Sequence, residues 1–205
     1  HFPGGGPQKE GLDPHLKSGE EQVYPGNNFD YHLDPFVDAI NNNLRVIMPY
    51  YGIPMGQTSE NVAMAYNKEI LTDLLRNKLK YEGVVCTDWG IISDRNWGVE
   101  ALSIEDRYFK SIEAGVDQYG GESEIAYILK LVKDKRITPN RINQSARRLL
   151  RNKFELGLFD NPYVDLSRIS ELVNTSEHEN LGLEAQKRSI ILLKNDSYEE
   201  KPVLP

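Results

Sequence analysis

The 205-residue sequence has little of what usually announces a protein's class. It has one cysteine, Cys86, so no internal disulfide can form. It has no apolar run close to the roughly 18 residues of a membrane-spanning helix. Its 24 Lys and Arg are outnumbered by 31 Asp and Glu, giving a net charge of −7. That balance excludes the basic face a nucleic-acid partner needs, so neither nucleic acid nor membrane is expected as a partner. The triple glycine Gly4–Gly6 lacks the preceding strand, following helix and lysine of a phosphate-binding loop. No element carries His, Cys and carboxylates at metal-ligand spacing, and Asp13-Pro14-His15 is weak as a metal pair. No cofactor or metal is therefore expected. The chain opens with His1 rather than Met and shows no signal-peptide pattern. Both ends read as cut, as in a piece of a longer protein.

What is present is an ordinary apolar content of 39% and one conspicuous stretch, Gly83-Val84-Val85-Cys86-Thr87-Asp88-Trp89-Gly90. Small and β-branched residues run straight into an acid and a large aromatic. Such a run reads as a buried strand of a parallel sheet. Cys86 reads as an inert buried thiol, because nothing cationic adjoins it in sequence. In α/β sheets and barrels the carboxyl ends of strands carry the chemistry, which makes Asp88 the first candidate residue. The competing reading is an acid that caps the following turn.

Around this strand the pattern is β-α-β-α-β-α-α. Residues 1–32 read as a long loop, and long loops in compact domains are usually functional. Asp34-Pro35 predicts a helix start with proline at the first helical position. Arg45–Tyr51 reads as a strand running into a loop. Ser59 is the expected cap of a helix whose apolar face runs from Val62 to Leu79. Ser103 with Asp106 forms a capping box, and Gly115 stops that helix. Val116–Tyr119 is a third strand, and helices follow from Ser123 and from Thr138-Pro139. The strand centres, near 47, 85 and 117, are spaced close to the roughly 30 residues per βα unit of an eight-stranded barrel, a spacing that a doubly wound sheet also permits. Beyond residue 165 the character changes. Ser176 with Glu179 predicts a helix cap, and Ser189–Lys194 reads as a fresh strand. The expected organisation is residues 1–159 as the C-terminal part of a (β/α) barrel, 160–176 as linker, and 177–205 as the start of a second domain.

Three strand ends carry polar or aromatic groups: Met48 and Tyr51, then Asp88 and Trp89, then Asp117 with Glu122 beyond. The N-terminal loop adds His1, Asp13 and His15. Carboxylates with aromatic platforms suit a neutral polyol such as a sugar: a carboxylate attacks the anomeric carbon while Trp or Tyr covers the ring face. Each residue also has a plainer reading. Trp89 and Tyr51 fit a core, Met48 a gap-filler, His15 a solvated loop, Glu122 a helix-start charge and Asp117 a strand cap or buried pair.

In order along the chain, five motifs carry a resemblance. His1-Phe-Pro-Gly looks like the end of the Lys-His-Phe-x-Gly motif of glycoside hydrolase family 3. Met48-Pro-Tyr-Tyr51 resembles its Met-x-x-Tyr strand end, and Gly83–Trp89 its Gly-Val-x-x-Ser-Asp-Trp nucleophile strand. Arg147–Phe159 resembles the helix ending its barrel, and Ala185–Asn195 the entry to its α/β sandwich domain. The resemblance implies a retaining exo-glycosidase acting on terminal β-linked glucose, with an oligosaccharide or glycoside as substrate. It implies Asp88 as nucleophile and His1, Met48, Tyr51 and Trp89 as substrate-binding residues. It implies that an N-terminal barrel segment and the rest of a sandwich domain belong to the parent, and that the chain alone is inactive. It favours a periplasmic or extracellular setting. The general acid stays open. In β-glucosidases of the family it is usually a Glu of the second domain. In the N-acetylglucosaminidase branch it is an Asp-x-His pair, a pattern matched by Asp13-Pro14-His15, with Gly5 standing where a His is common. An N-acetylhexosaminidase or phosphorylase using His15, or a non-catalytic sugar-binding domain, are the alternatives.

Overall fold

The Val84–Trp89 strand organises the larger of two compact units, His1–Phe159; the smaller is Asp160–Pro205. The structure, a computed structural model, describes residues 1–198, 201–202 and 204. The strands of the larger unit are β1 (Glu21–Gln22), β2 (Val46–Ile47), β3 (Ile53–Pro54), β4 (Val84–Trp89) and β5 (Gln118–Gly120). The principal sheet has the order β2-β4-β5 and is parallel throughout. Phe2 extends it by a parallel bridge to Pro49: its N–H donates to the Met48 carbonyl at 2.7 Å, and its carbonyl accepts from the Tyr50 N–H at 2.9 Å. A second parallel pair, β1 with β3, ties the N-terminal loop to the turn after β2.

The helices are α1 (Phe29–Asn41), α2 (Glu69–Lys78), α3 (Ile104–Ala114), α4 (Ile125–Lys133) and α5 (Pro139–Glu155). Parallel strands joined by helices bury one sheet face against helix side chains. Ile47, Val85, Leu71, Leu75, Tyr108, Ile112 and Leu131 are all buried in one cluster with Phe2 and Tyr66. The opposite face is only partly covered: Val84 and Asp88 are buried on it. Val46 is 46% exposed, and Met48 and Cys86 are only partly buried. Because Val46 pairs with Val84, alternation puts Met48 and Cys86 on the face that carries Asp88.

Several local expectations hold. Ser103 accepts from the Asp106 N–H at 3.1 Å and donates to its carboxylate at 2.6 Å, and Gly115 closes α3 with φ +127°. Thr138 caps α5, which begins at Pro139. Others are corrected. Helix α1 starts at Phe29, so Pro35 lies inside it rather than at its first position. The stripe Phe29, Leu33, Phe36, Val37 and Ile40 packs on the core, and that burial outweighs the backbone bond Pro35 cannot donate. Ser59 caps no helix. Residues 58–68 are mostly irregular, and the buried Asn67 side chain accepts from the Ile70 N–H at 3.1 Å, so α2 starts there with π-helical winding. Ser59 instead receives the Glu69 carboxylate on its N–H.

The reading of Asp117 as a buried pair holds, while its place at a carboxyl strand end is corrected. Asp117 lies before β5, at the end of the sheet opposite Asp88. Its side chain is fully buried: Arg76 reaches Oδ2 at 2.7 Å, Arg148 reaches Oδ1 at 2.7 Å, and Arg141 lies 3.6 Å from Oδ1. Ser145 Oγ donates to Oδ1 at 2.7 Å and the Val85 N–H to Oδ2 at 3.0 Å. One carboxylate thereby joins α2, β4, β5 and α5.

In the smaller unit, α6 (Ser176–Ser189) is capped by Thr175, one residue before the expected Ser176. The expected strand over 189–194 does not form. Ser189 ends α6, and Ile190–Leu193 are unpaired and exposed, because no strand among the described residues offers them an edge. The pairing found here is an antiparallel hairpin of Ser197–Tyr198 with Lys201–Pro202.

Candidate active site

The Asp88 side chain is nearly buried at the carboxyl end of β4. Its Oδ1 accepts from the Trp89 N–H at 2.7 Å. Its Oδ2 is shielded from solvent and receives no hydrogen bond of good geometry, although His1 Nε2 lies 2.8 Å away. His1 is placed there by the bridge that Phe2 makes beside β2. Its ring meets the edge of Tyr50, with centroids 5.3 Å apart. Gly5 leaves the room Tyr50 needs, since a Cβ there would lie 3.0 Å from the phenol ring.

Tyr51 links Asp88 to the N-terminal loop. Its hydroxyl donates to the Trp89 carbonyl at 2.6 Å, and its ring centroid is 5.0 Å from that of His15. Burial, and then the Asp88 carboxylate, hold the Tyr51 phenol far above its ordinary range. His15 Nδ1 lies 2.7 Å from Asp13 Oδ1, and the His15 N–H donates to the same oxygen at 3.0 Å. That backbone bond first, and the imidazole second, hold the exposed Asp13 carboxyl below the ordinary aspartate value. The sequence candidates Asp88, His1, Tyr51 and His15 are thus brought together through direct or aromatic contacts.

Trp89 stands at the rim, 58% exposed. Its indole lies against two glycines: a Cβ on Gly120 would sit 2.6 Å from the ring, and one on Gly121 2.5 Å. Met48 is on the Asp88 face of β2, level with Cys86 by the strand register. Burial, and then Asp88, push the Cys86 thiol up, away from reactivity. Glu122 is committed elsewhere. Its Oε1 accepts from the Ile92 and Ser93 N–H groups, both at 3.2 Å, and from Ser93 Oγ at 3.0 Å, pinning the loop after β4.

Three site neighbours escaped the sequence reading. Tyr50 is one. Arg95 is another: its guanidinium lies 5.6 Å over the Tyr51 ring and pairs with Asp94 at 3.0 Å. Trp97 donates its indole N–H to the Pro14 carbonyl at 2.9 Å. An Arg and a Trp within ten residues of a strand-end acid were the available signal. Among the described residues, no group of three His, Cys, Asp or Glu side chains could hold a metal ion, and no helix is long and apolar enough to cross a membrane.

A parallel α/β unit with a shielded carboxylate at a strand's carboxyl end, ringed by tyrosines and imidazoles, is a strand-end site of the α/β enzyme type. The chain belongs to glycosyl hydrolase family 3: the model of that family's N-terminal domain matches residues 1–152. It is 47% identical to beta-glucosidase C of Emericella nidulans over 206 aligned residues, 96% of this chain and 33% of that protein. It is 34% identical to a periplasmic beta-glucosidase/beta-xylosidase of Dickeya chrysanthemi, over 96% of this chain and 34% of the relative. Among solved structures, a family 3 beta-N-acetylglucosaminidase from Paenibacillus superposes with a TM-score of 0.74 at 27% identity, covering 97% of this chain and 38% of that one. The chain spans about a third of the length of the curated relatives it matches.

Proposed function

We propose that the intact protein is a retaining, exo-acting β-glucosidase, releasing terminal β-linked glucose from oligosaccharides or glycosides. In this reading residues 1–159 are the later βα units of a (β/α) barrel, 160–176 a linker and 177–205 the start of an α/β sandwich domain. The half-covered sheet face bearing Val46, Met48, Cys86 and Asp88 supports the barrel, because a barrel interior is filled from strands on all sides. The relatives named beta-glucosidase support the activity. The observation that carries the reading is Asp88 itself: a nearly buried carboxylate at the carboxyl end of β4, with His1 Nε2 2.8 Å from its Oδ2.

In the first step Asp88 attacks the anomeric carbon, the glycosidic C–O bond breaks, and an acid gives the leaving oxygen its proton. The product is a glycosyl ester of Asp88. In the second step water, deprotonated by the same group, displaces Asp88 and releases the sugar. His15 is our candidate for that group. Asp13 holds its Nδ1, which directs the transferable proton to Nε2. His1, Tyr51, Met48 and Trp89 would hold the sugar. The hydrogen-bonded Asp13–His15 pair also favours a second reading, a β-N-acetylhexosaminidase; the Paenibacillus structure is named a beta-N-acetylglucosaminidase.

The test is trapping of the full-length protein with a 2-deoxy-2-fluoro-glucoside, followed by peptide mass spectrometry. An adduct on Asp88 supports the proposal. An adduct on another residue, or none under conditions of turnover, overturns it. A kcat/KM higher on N-acetylglucosaminides than on glucosides selects the second reading.

A further inference from the structure

The Asp13–His15 pair sits on a loop that local contacts alone hold poorly. Asp13 and His15 are both more than half exposed. Within the loop, the Leu16 N–H donates to the Asp13 carbonyl and the Gly19 N–H to the Leu16 carbonyl, at 3.1 and 2.9 Å. Pro14 has no N–H to give. The Leu12 N–H donates to the Lys9 carbonyl at 3.0 Å, and the His15 ring packs on Tyr51. Among the described residues, one hydrogen bond reaches residues 12–16 from beyond the N-terminal loop of residues 1–32: the Trp97 indole N–H to the Pro14 carbonyl at 2.9 Å.

Trp97 is itself firmly seated. It is buried, its carbonyl accepts from the Ala63 N–H at 3.0 Å, and Gly98 packs directly on the Asn61 backbone. Lys17 closes the other side. Its ammonium lies 5.5 Å over the Trp97 ring and pairs with Glu20 at 2.6 Å and with Glu100. Glu100 in turn belongs to the loop that follows β4, whose carbonyls at Ile92 and Glu100 are held by Arg107 at 2.8 and 2.9 Å. The strand that carries Asp88 and the loop that carries His15 are therefore coupled by the Trp97 indole and the Lys17–Glu100 pair, beside the ring contact of His15 with Tyr51.

We propose that Trp97 is a positioning residue, a strut that holds Asp13-Pro14-His15 at the working height above Asp88. This rests on the reading of His15 as acid/base. Its physical basis is that proton transfer needs the donor within hydrogen-bond reach of the leaving oxygen, so a loop displaced by an ångström loses most of the benefit. Trp97 touches neither substrate nor proton; it acts through Pro14.

The experiment uses the full-length protein and two glucosides, phenyl and 2,4-dinitrophenyl. The dinitrophenolate leaves without protonation, whereas phenolate needs an acid. The readout is the ratio of kcat/KM on the dinitrophenyl to that on the phenyl glucoside, which loss of folded protein does not change. His15→Gln should raise the ratio by about 100-fold or more. Trp97→Phe, which deletes the N–H, should raise it about tenfold. If Trp97→Phe does not fold, 3-benzothienylalanine at position 97 keeps the bicyclic shape without the N–H and should give the same shift. A raised ratio for His15→Gln with an unchanged ratio for both position-97 variants overturns the strut and leaves the acid/base reading standing. An unchanged ratio for His15→Gln overturns that reading, and the strut with it.

Discussion

Asp88 and Asp117 are two aspartates at opposite ends of neighbouring parallel strands, and the sheet treats them in opposite ways. Asp117 is fully buried and saturated: three arginines, a serine hydroxyl and a backbone N–H converge on its two oxygens. Asp88 is nearly as buried, yet among the described residues its Oδ2 faces only the His1 imidazole, without a hydrogen bond of good geometry. The first arrangement satisfies a charge so that it can hold four elements together. The second leaves a charge with capacity to spare, which is how a reactive group differs from a structural one. Position on the strand matters as much as burial, since Asp88 ends β4 and Asp117 precedes β5.

The sharpest test of that contrast is Asp88→Asn in the full-length protein. We expect kcat to fall by about 10⁴-fold or more, because the glycosyl ester can no longer form. Stability should change far less than in the next variant, because Asp88 loses its contact with one half-exposed imidazole while Asn keeps an acceptor for the Trp89 N–H. A fall in the urea midpoint as large as the one expected next would break the comparison. Asp117→Asn should do the reverse. It leaves three arginines crowded without their shared anion, and should cost about 3–5 kcal/mol of stability by urea unfolding. Activity per folded molecule should stay within about twofold; a specific activity loss far beyond the unfolded fraction would show that Asp117 acts on the site as well.

The smallest effect concerns Asp13, an exposed acid that stands between these extremes. Its carboxyl is held below the ordinary value of 3.8, first by the His15 N–H and then by the His15 ring. A depressed acid contributes stability above its unfolded pKa and loses it as pH falls through the folded one, so the Asp13–His15 pair should part only below pH 3.8. His15→Gln keeps the backbone bond and removes the ring. It should move the Asp13 titration partway up toward 3.8, as read by carboxyl-carbon NMR. A titration that does not move would assign the whole depression to the backbone.

These contrasts show what the sequence could and could not disclose. Asp88 was legible because the strand that carries it is contiguous, and five motifs in order made the family legible too. The buried pairing of Asp117 was also legible, but its partners were not, because Arg76 and Arg148 stand 41 and 31 residues away in the chain. Only the packing of α2 and α5 on the sheet brings them in. The start of α2 was misplaced because Ser59 and Asn67 are both capping residues, and an apolar run such as Val62–Tyr66 satisfies burial equally well without helical winding. Trp97 was missed because a tryptophan in a polar loop has no periodic signature; its partner is a backbone carbonyl 83 residues earlier.

The Asp117 hub also sets an order of assembly. During synthesis β4, α2 and β5 emerge well before α5, so for that interval the carboxylate can have Arg76 but neither Arg141 nor Arg148. Until α5 arrives Asp117 Oδ1 lacks the hydrogen bonds that Ser145 and Arg148 supply, and an unsatisfied buried acceptor opposes closure of the sheet. The same linkage works in reverse once folding is complete. Releasing α5 strips Asp117 of two of its three cations, so the sheet and its last helix should be lost together rather than in sequence.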